Sequence, residues 1–503
     1  MTVAVTQSRA SIGIHAPMVT VETHISKGLP GFHIVGLPET AVKESKERVR
    51  SAIITSHFEF PSRRITINLA PADLPKQGGR YDLSIALGIL AASRQIPPDK
   101  LCDYEFAGEL ALSGELRPIK GILPLAIGTK NAGRSLILPF ENAAEAHLIK
   151  GIKLFPARHL LDVCSHFLER TILTPHPALP YSAPQISYHD LKEVRGQHHA
   201  KRALEIAAAG QHSLLLVGPP GVGKTMLSNC LPGLLPPMSE EEAIELAAIQ
   251  SISGMSINST NWAKRPFRAP HHSASCYALI GGGNPAKPGE ISLAHHGVLF
   301  LDELPEFKRQ ALEALREPLE AGSISISRAN FQVQYPAKFQ LIAAMNPCPC
   351  GQYGNHNADC VCLPESIKKY QARISGPLMD RIDIQAELQL LPSSLFINHV
   401  NETTSSQIVA ERVRCAREIQ TQRTGKPNAL LRNKEIENFC GLSQQDEVFI
   451  ERYMQQQKIS ARAYYKILKI ARTIADLEPS PLIKGEHLKE AFSYRVLKNY
   501  QKI

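Results

Sequence analysis

Short apolar runs recur through the middle of the chain, and each one stops at a glycine, an acid, an amide or a proline. The runs are LLLV at 214–217, GVLFL at 297–301, FQLIAAM at 339–345 and the alternating IDIQAELQL at 382–390. Runs of this length bounded by turn residues are typical of buried parallel strands. We therefore predict a central α/β unit whose strands carry polar residues at their ends.

The pattern changes near Pro392 and becomes helical towards the end of the chain. The segment ARAYYKILKIARTIADL, 461–477, repeats apolar residues at spacings of three and four, which predicts an amphipathic helix. Earlier, TPHPALPYSAPQIS at 174–187 holds four prolines and little periodicity, which is typical of a linker. The predicted division is an N-terminal α/β domain at 1–173, a linker at 174–190, a central domain at 191–392 and a C-terminal helical domain at 393–503.

Two segments of the central domain do not look like buried strands. SISISRANFQVQYP at 323–336 alternates apolar and polar residues on both sides of RAN, which predicts a β-hairpin with Arg328 near its tip. The segment 251–290 has Gly281 to Gly283 and Lys287 towards its end, without a core pattern. We expect that glycine-rich end to be a mobile loop.

Charge suggests the kind of partner. The 503-residue chain is 43% apolar, enough for several cores, and its net charge is +9. From Ile408 to Ile503 there are 18 Lys+Arg and 11 Asp+Glu, a local excess of +7. A basic C-terminal domain favours a polyanionic partner such as nucleic acid. The alternative is a solvated helical surface rich in lysine.

The sequence shows no sign of a membrane partner. No apolar run reaches the roughly 18 residues of a membrane span. The first residues lack the charged start and long apolar stretch of a signal peptide. We therefore expect a cytoplasmic protein.

A glycine-rich stretch follows the first buried run and predicts an ATP site. Its residues are Gly218, Pro219, Pro220, Gly221, Val222, Gly223, Lys224 and Thr225. They fit G-x-x-x-x-G-K-[ST] between a strand and a helix. Backbone N–H groups and the helix N-terminus would surround phosphate oxygens. Lys224 would reach the β- and γ-phosphates, and Thr225 would bind Mg²⁺.

Acids and an amide follow the next two runs. A buried strand that carries Asp302 and Glu303 at its tip needs a reason, because unpaired buried charge is costly. Beside the phosphate loop, Asp302 can hold Mg²⁺ through its water shell, and Glu303 can orient and deprotonate the attacking water. Asn346 can align that water or contact the γ-phosphate. The alternative for the acid pair is an ordinary helix N-cap.

Arginines further along predict that another protomer completes the site. Arg381 lies between two acids before the last strand, where it cannot easily turn into its own phosphate site. In a ring it can reach the neighbour's nucleotide as an arginine finger. The alternative is an ion pair with Asp380 or Asp383. Arg462, near the start of the C-terminal amphipathic helix, can act on the γ-phosphate from a lid, and Arg472 is a second candidate.

Four of the ten cysteines crowd into fifteen residues, which favours a metal over disulfides in the cytoplasm. They are Cys348, Cys350, Cys360 and Cys362. Two close pairs can surround one tetrahedral Zn²⁺, although C-x-C is tighter than the usual C-x-x-C. A metal here would stiffen a loop near the ATP site or the ring face. The alternatives are free or redox-active thiols, with His356 a spare ligand or a solvated loop residue.

Together these motifs resemble a known family. In content and order they are similar to the ComM/YifB family of magnesium-chelatase-like AAA+ ATPases; the motifs are GPPGVGKT, RPFRAPHHSAS, GEISLAHHGVLFLDELPEF, MNPCPCG, RISGPLMDRIDI and ARAYYKILKIARTIADL. The resemblance covers nearly the whole chain. It implies a multidomain α/β protein that forms a homo-hexamer, binds ATP and Mg²⁺, and has a Lon-protease-like N-terminal domain and a C-terminal helical lid. Asn346 matches the sensor position of AAA+ ATPases.

The same resemblance implies a function. ComM members are associated with natural transformation, as DNA helicases that drive branch migration of incoming single-stranded DNA into the chromosome. The expected partners are therefore single-stranded and branched DNA, with recombination proteins as possible further partners.

The N-terminal domain resembles the proteolytic domain of Lon-type proteases in GLPETAVKESKERVRSAI and INLAPADLPKQGGRYDLSIALGILAA. Those enzymes use a serine and a later lysine, but here Arg80 stands at the serine position and the lysine falls near Leu125. A Ser/Lys pair needs a hydroxyl beside an amine of lowered pKa. We interpret the domain as non-proteolytic, with Ser84 and Lys120 as the alternative pair.

In helicase-like AAA+ rings of this clade, the hairpin and the glycine-rich loop line the pore. We therefore expect Arg328 and Lys287 to contact DNA phosphates without reading sequence. The alternative is that both segments pack at subunit contacts. Trp262 and the histidine pairs 271–272 and 295–296 are expected to pack or hydrogen-bond rather than bind metal.

Two other classes of function stay open. A chelatase motor that inserts Mg²⁺ into a porphyrin would share the central and C-terminal domains, but the Lon-like domain and the cysteines argue against it. A protein-remodelling ATPase, a scaffold or a surviving peptidase forms the second class. The changed residues Arg80 and Leu125 argue against a peptidase, and the intact ATP motif argues against a scaffold.

Overall fold

A computed structural model describes residues 2–177, 188–258, 261–283, 286–327, 332–354, 359–391, 404–457 and 460–495. Arg328 and His356 lie outside these ranges, as does most of the predicted linker, 178–187. None of the helices within them combines the length and the apolar character needed to cross a lipid bilayer.

The N-terminal part of the chain begins with a four-stranded sheet of order β1–β2–β4–β3. Its elements are β1 (Thr2–Arg9), β2 (Met18–Ser26), β3 (Gly31–Val35), α1 (Thr40–Lys43), α2 (Ser45–Thr55), β4 (Arg64–Ala70) and α3 (Asp82–Ala92). The β3–β4 pair is parallel and the other two pairs are antiparallel. Side chains in β2 alternate between buried and partly exposed, because the fully buried α3 packs against β1 and β2 on one face of the sheet.

A second, three-stranded parallel sheet of order β5–β8–β9 completes this part of the chain. The elements of this region are β5 (Tyr104–Phe106), β6 (Glu109–Leu110), β7 (Leu116–Arg117), α4 (Ile122–Asn131), β8 (Ser135–Pro139), α5 (Phe140–Ala146), β9 (Leu154–Ala157) and α6 (Leu160–Phe167), and β6 and β7 form a separate antiparallel pair. Apolar side chains of α6 and of the first sheet share one core, so the two sheets form a continuous unit.

The central part is built on a five-stranded parallel sheet of order β11–β14–β17–β10–β18. The elements up to the end of β14 are α7 (His198–Gly210), β10 (Leu214–Val217), α8 (Lys224–Cys230), α9 (Glu240–Ser253), β11 (Phe267–Arg268), α10 (Cys276–Ile280), β12 (Gly281–Gly282), β13 (Lys287–Pro288), α11 (Glu290–Leu293) and β14 (Val298–Leu301). The others are α12 (Arg309–Glu313), α13 (Arg316–Ala321), β15 (Ser323–Ser327), β16 (Gln332–Pro336), β17 (Gln340–Met345), α14 (Pro364–Gln371), α15 (Gly376–Met379) and β18 (Ile384–Glu387). Each apolar run identified in the sequence contains one strand, which confirms the predicted α/β class.

The two segments set apart by their sequence pattern lie against each other. Strands β15 and β16 pair in antiparallel fashion and confirm the predicted hairpin. Strands β12 and β13 also form a short antiparallel ladder, so 281–282 and 287–288 have regular structure where the sequence predicted a loop, and the mobility of the segment stays a prediction. The ladder depends on Gly281, whose φ of +105° and close approach to the Lys287 carbonyl, 2.3 Å from an added Cβ, require glycine. The Tyr335 hydroxyl of β16 donates to the Ala286 carbonyl at 2.8 Å.

The C-terminal part is helical in the residues described. Its helices are α16 (Ser406–Thr424), α17 (Asn433–Phe439), α18 (Gln444–Gln457), α19 (Ala461–Leu477) and α20 (Gly485–Ser493). The bounds of α19 coincide with the predicted amphipathic helix. Both α16 and α19 pack on α7 through a shared apolar cluster, so this part is joined to the central sheet by a continuous core.

The N-terminal part contacts the central part at two places. Helix α4 packs on α9 in an apolar cluster that contains the buried Trp262, which packs as expected, and the Gly121 N–H donates to the Ser251 carbonyl at 3.2 Å. The turn between β1 and β2 lies against β16. An added Cβ on Gly13, whose φ is +54°, would lie 2.8 Å from Val333 Cγ1. This contact, called here the glycine turn contact, has no room for a side chain.

Candidate functional site

Because the strands of the central sheet are parallel, their carboxyl ends lie along one side of the sheet and their amino ends along the opposite side. We call these two sides the carboxyl edge and the amino edge. Residues 218, 302 and 346 directly follow strands at the carboxyl edge. Residues 213, 297 and 383 precede strands at the amino edge. A four-residue strand spans about 13 Å, so at least that length of backbone separates groups at opposite edges.

The glycine-rich loop wraps around the Lys224 ammonium group at the carboxyl edge. Lys224 Nζ donates to the carbonyls of Gly218 at 2.7 Å and Pro219 at 2.8 Å, and to Asn346 Oδ1 at 3.0 Å. Burial lowers the pKa of Lys224, and the nearby carboxylates of Asp302 and Glu303 oppose that shift. The loop, the lysine and the predicted sensor amide therefore meet at one point.

Glycine is required in the loop itself. Gly221 and Gly223 have φ of +77° and +94°, and a Cβ on Gly218 would lie 2.6 Å from the Leu388 carbonyl oxygen. Gln197, which the sequence analysis missed, donates from Nε2 to the carbonyl of Val222 at 3.4 Å and to that of Gln389 at 2.8 Å. Its side chain therefore ties the loop to the end of β18.

The two predicted magnesium ligands are in contact. Thr225 Oγ1 donates to Asp302 Oδ2 at 2.8 Å, although the residues are 77 positions apart. An adjacent hydroxyl and carboxylate at the mouth of a phosphate loop are the oxygen donors that Mg²⁺ prefers. The residues present therefore fit the cation.

Glu303 extends away from Asp302 and meets a histidine. Its φ of +53° is left-handed, its side chain is 54% exposed, and its Oε2 lies 3.2 Å from His272 Nδ1. His272 follows β11 at the same edge, which is why it reaches Glu303. The sequence motif RPFRAPHHSAS held this residue, but only as an expected hydrogen-bonding group, and its partner was not foreseen.

The four cysteines form one cluster next to the phosphate loop. Their sulfur atoms all lie within 4.8 Å of one another, with Cys348 Sγ 3.3 Å from Cys350 Sγ and 3.7 Å from Cys360 Sγ. A tetrahedral zinc with bonds of about 2.3 Å places its sulfurs about 3.8 Å apart, so the donor set fits zinc. A backbone hydrogen bond from Gln352 lowers the pKa of Cys350 to about 6, which favours a thiolate.

The cysteine loop packs directly on the glycine-rich loop. A Cβ on Gly351 would lie 2.5 Å from Pro220 Cδ. On the other side, Gln371 Nε2 donates to the Pro347 carbonyl at 3.0 Å, next to Asn346. A metal in the cluster would thus hold the backbone on which both the loop and the sensor amide rest.

The two predicted arginines meet at the amino edge. Arg381 and Arg462 both bond Glu320 Oε1, at 2.8 Å and 2.6 Å. Arg381 also donates to the Pro377 carbonyl at 2.8 Å, and its side chain is only 11% exposed. The ion-pair partner proposed from sequence, Asp380 or Asp383, is therefore not the one that the structure shows.

Asp383 instead anchors the amino ends of two strands. It accepts the Ser213 N–H at 3.1 Å, pairs with Lys466 at 2.8 Å and lies 3.5 Å from His212. Burial raises the pKa of Asp383, but Lys466 and His212 outweigh it and hold the pKa well below its usual value. Ser213 Oγ in turn donates to the Arg381 carbonyl at 2.9 Å, which fixes the backbone of that arginine.

A cavity of about 530 Å³ opens at this edge between the central sheet and the C-terminal helices. Its charged lining consists of Glu320, Arg381, Asp383, Arg462, Lys466 and Lys469. Four cations therefore face two acids. These cations lie at the edge of the sheet opposite Lys224.

The other candidate residues are engaged elsewhere. Arg472 is buried and pairs with Asp476 at 2.9 Å within the C-terminal helices. In the N-terminal part, Ser84 is buried and donates to the Phe106 carbonyl, whereas Lys120 is exposed. Arg80 donates to the Lys120 carbonyl at 3.2 Å and Leu125 is fully buried.

The second histidine pair forms hydrogen bonds. His295 Nδ1 accepts the Lys338 N–H at 3.0 Å, so its Nε2 is the protonated nitrogen, 3.0 Å from Glu245. His296 Nε2 lies 2.9 Å from the same carboxylate. Glu245, His295 and His296 place potential ligand atoms within 4.8 Å of one another, so hydrogen bonding rather than metal binding stays a prediction for this pair.

Lys287 is the predicted DNA contact that lies within the described residues. It is exposed on β13, the ladder that rests on the hairpin. An added Cβ on Gly281 would lie 3.1 Å from Ile326 Cδ1 of β15, which shows how closely ladder and hairpin pack.

Comparison with known proteins identifies the family. Three family profiles match: magnesium chelatase, subunit ChlI, at residues 190–395; subunit ChlI of Mg-chelatase at 21–142; and the C-terminal part of subunit ChlI at 403–495. The chain is 51% identical over 505 residues to Competence protein ComM of Haemophilus influenzae, covering 99% of this chain and 98% of the relative. It is also 51% identical over 498 residues to uncharacterized protein YifB of Escherichia coli, with the same coverage.

A more distant match is a Lon protease of Geobacter metallireducens, 26% identical over 171 residues, 31% of this chain and 20% of that protein. The full-length identity to ComM and YifB is decisive, and the phosphate-loop geometry agrees with it. The chain belongs to the ComM/YifB family of magnesium-chelatase-like AAA+ ATPases.

Proposed function

We propose that this protein forms a homo-hexameric ring that hydrolyses ATP between neighbouring protomers and uses the energy to move along DNA. The observation that carries the proposal is the split of the site between two edges of one sheet. Lys224 lies at the carboxyl edge, and Arg381 and Arg462 lie at the amino edge. One copy presents the nucleotide that the next copy's arginines reach.

Within one protomer, the carboxyl edge supplies the binding and proton-transfer groups. The glycine-rich loop and Lys224 hold the phosphates, and Asn346 positions the attacking water beside the γ-phosphate. The exposed Glu303 carboxylate first moves away from His272 and then accepts the proton of the attacking water. Thr225 and Asp302 would hold Mg²⁺, which neutralises charge on the phosphate oxygens when bound.

The neighbouring protomer contributes positive charge. Arg381 is fixed through its backbone by Ser213 and through its guanidinium by Glu320, so it is already oriented. Arg462, on α19, lies beside it and reaches the same phosphate. Charge stabilisation by such a group in trans contributes strongly to phosphoryl transfer.

The hairpin of β15 and β16 and the antiparallel ladder of β12 and β13 are the parts proposed to contact DNA. They pack against each other, and Lys287 is exposed on β13. Arg328, which lies outside the described residues, is the second predicted DNA contact. Contacts from these cations to phosphates would be electrostatic and independent of base sequence. Because a family member is named a competence protein, we propose that the movement promotes branch migration of single-stranded DNA during natural transformation.

Two further assignments belong to this proposal. The N-terminal domain, 1–173, is a Lon-like fold without proteolytic activity, since Ser84 and Lys120 do not meet and Arg80 and Leu125 occupy the aligned positions. The cysteine cluster holds a structural Zn²⁺ that supports the phosphate loop. The domain boundaries proposed from sequence, with a C-terminal lid at 393–503, are kept.

The test is ATP turnover by the purified protein with and without single-stranded DNA, at two salt concentrations. We expect DNA to stimulate turnover, and higher salt to weaken that stimulation because phosphate contacts release counterions. Lys224→Ala and Glu303→Gln are the controls and should lose turnover in both conditions.

Turnover that DNA leaves unchanged, with both controls inactive, would contradict the DNA motor and favour a chelatase-like or protein-remodelling ATPase. Turnover equal to that of Lys224→Ala would contradict the ATPase itself. If single-stranded DNA stimulates turnover, strand-exchange substrates would next test whether the same preparation drives branch migration.

A further inference from the structure

Glu320 occupies the place where the amino-edge arginines and the hairpin meet. It lies on α13, which ends at Gly322 with φ +67°, and β15 begins at the next residue. The Ala337 N–H, just after β16, donates to the Gly322 carbonyl at 2.8 Å. Both ends of the hairpin are therefore tied to the end of the helix that carries Glu320.

One carboxylate oxygen of Glu320 accepts hydrogen bonds from both arginines. Arg381 and Arg462 bond Glu320 Oε1. Within the part of the chain that the structure describes, Arg381 Nε is buried and has no hydrogen-bond partner. Burial opposes ionisation of Glu320, but the hydrogen bonds from Arg462 and Arg381 outweigh it and hold the pKa below its usual value. Two guanidinium groups with spare donors on one oxygen form an incomplete arrangement. A phosphate group, with three oxygens, would satisfy more of those donors.

We propose that Glu320 links the neighbour's nucleotide to the hairpin by competing with its phosphate for Arg381 and Arg462. Without a phosphate the two arginines hold Glu320, and α13 with it, at the amino edge. When the arginines turn to the γ-phosphate of the adjoining protomer, Glu320 is released and the hairpin base is free to shift. This inference rests on the proposed ring ATPase and adds a coupling residue to it.

Packing carries the movement from α13 to the hairpin. Leu319, the neighbour of Glu320, lines the amino-edge cavity and packs on the cluster that contains Ile324, Ile326 and Tyr335 of the hairpin. A displacement of the last turn of α13 therefore changes the apolar packing beneath both strands of the hairpin. The state of one ATP site would thereby set the hairpin of the protomer that supplies the arginines.

The experiment measures ATP turnover of Glu320→Gln as kcat and KM, with and without single-stranded DNA. Glutamine keeps the shape but removes the charge that competes with phosphate. We expect turnover without DNA to rise about two- to thirtyfold, the range that corresponds to losing two partly exposed ion pairs. The ratio of DNA-stimulated to basal turnover should fall by a similar factor, with KM for ATP little changed.

The matched control is Glu317→Gln, an exposed acid on the same helix, which should behave as wild type. Glu320→Asp keeps the charge and should recover part of the stimulation ratio. Thermal unfolding and gel filtration of each variant would identify any variant that is misfolded or not assembled.

The inference is overturned if Glu320→Gln matches Glu317→Gln in basal rate and stimulation ratio. It is also overturned if Glu320→Gln falls to the level of Lys224→Ala, because Glu320 would then belong to the catalytic site. Failure of the proposed function gives a different result, since wild type itself would show no turnover above Lys224→Ala or no response to DNA.

Discussion

The carboxyl and amino edges of the central sheet carry opposite halves of one chemistry. At the carboxyl edge, Lys224 bonds Asn346 and Thr225 bonds Asp302, so a single chain assembles this half. At the amino edge, the cations that line the cavity outnumber the acids, and Glu320 bonds both predicted arginines. The difference supports the proposal that the two halves meet between copies, because the same parallel strands hold them apart.

The largest effect on ATP turnover is expected from the removal of the Arg381 side chain. Arg381→Ala should lower turnover by about 10³-fold, the lower range for an arginine finger supplied in trans, while ATP binding stays near wild type. Turnover and nucleotide binding would be measured on the same preparation.

A mixture of two inactive variants tests whether one site uses residues of two copies. Arg381→Ala keeps an intact phosphate loop and Lys224→Ala keeps intact arginines, so a mixed ring contains some complete sites. We expect the mixture to exceed the turnover of either variant alone. An inactive mixture, from variants that co-assemble, would mean that Arg381 acts within its own chain.

The next largest effect concerns stability at the amino edge. Asp383→Asn should lower the free energy of unfolding by about 3 kcal/mol, because it leaves the mostly buried Lys466 without its partner. The exposed Asp380→Asn is the control and should change it little. Denaturant unfolding at pH 7 would compare them.

The pH dependence follows from the sign of the shift. The folded pKa of Asp383 lies below its unfolded value of about 3.9, so its stabilisation is present above that pH and is lost as the pH falls through the folded pKa. Below about pH 4 the difference between wild type and Asp383→Asn should thus shrink as the pH falls. A difference that grows as the pH falls below about 4 would contradict the assignment.

The smallest effect on turnover is expected at the cysteine cluster. Cys348→Ser with Cys350→Ser should release one equivalent of zinc and lower turnover by roughly tenfold, because the backbone next to Pro220 and Asn346 loses its support. Metal analysis and turnover would both be measured, with the exposed Cys102→Ser as control. Stoichiometric zinc remaining in the double variant would refute the site.

The carboxyl edge could be predicted from sequence because its signals are local. Each strand is a short apolar run, and Asp302, Asn346 and the first residue of the glycine-rich loop directly follow their strands. Parallel strands therefore bring the loop close to both polar residues. The apolar pattern and the position of polar residues after each strand were enough to predict which residues meet at the carboxyl edge.

The amino edge could not be predicted in the same way. Glu320 belongs to a short polar helix with no motif, and it meets Arg381 and Arg462 only through tertiary packing over 61 and 142 positions of chain. Sequence proximity pointed instead to Asp380 or Asp383. The same limit explains why the ladder at Gly281 and the His272–Glu303 contact were not foreseen.

The glycine turn contact bears on where this protein can be cut. The proline-rich segment at 174–187 looks like a natural boundary, and the residues of the ATP site all follow it. Yet Gly13, with Ile12 and Ile14 beside it, packs on β16 of the hairpin. A fragment that begins after the linker would keep the predicted ATP-site residues and expose apolar surface of the hairpin. The smallest piece that retains a defined hairpin therefore includes the N-terminal domain, and a chimaera that exchanges that domain must exchange β16 with it.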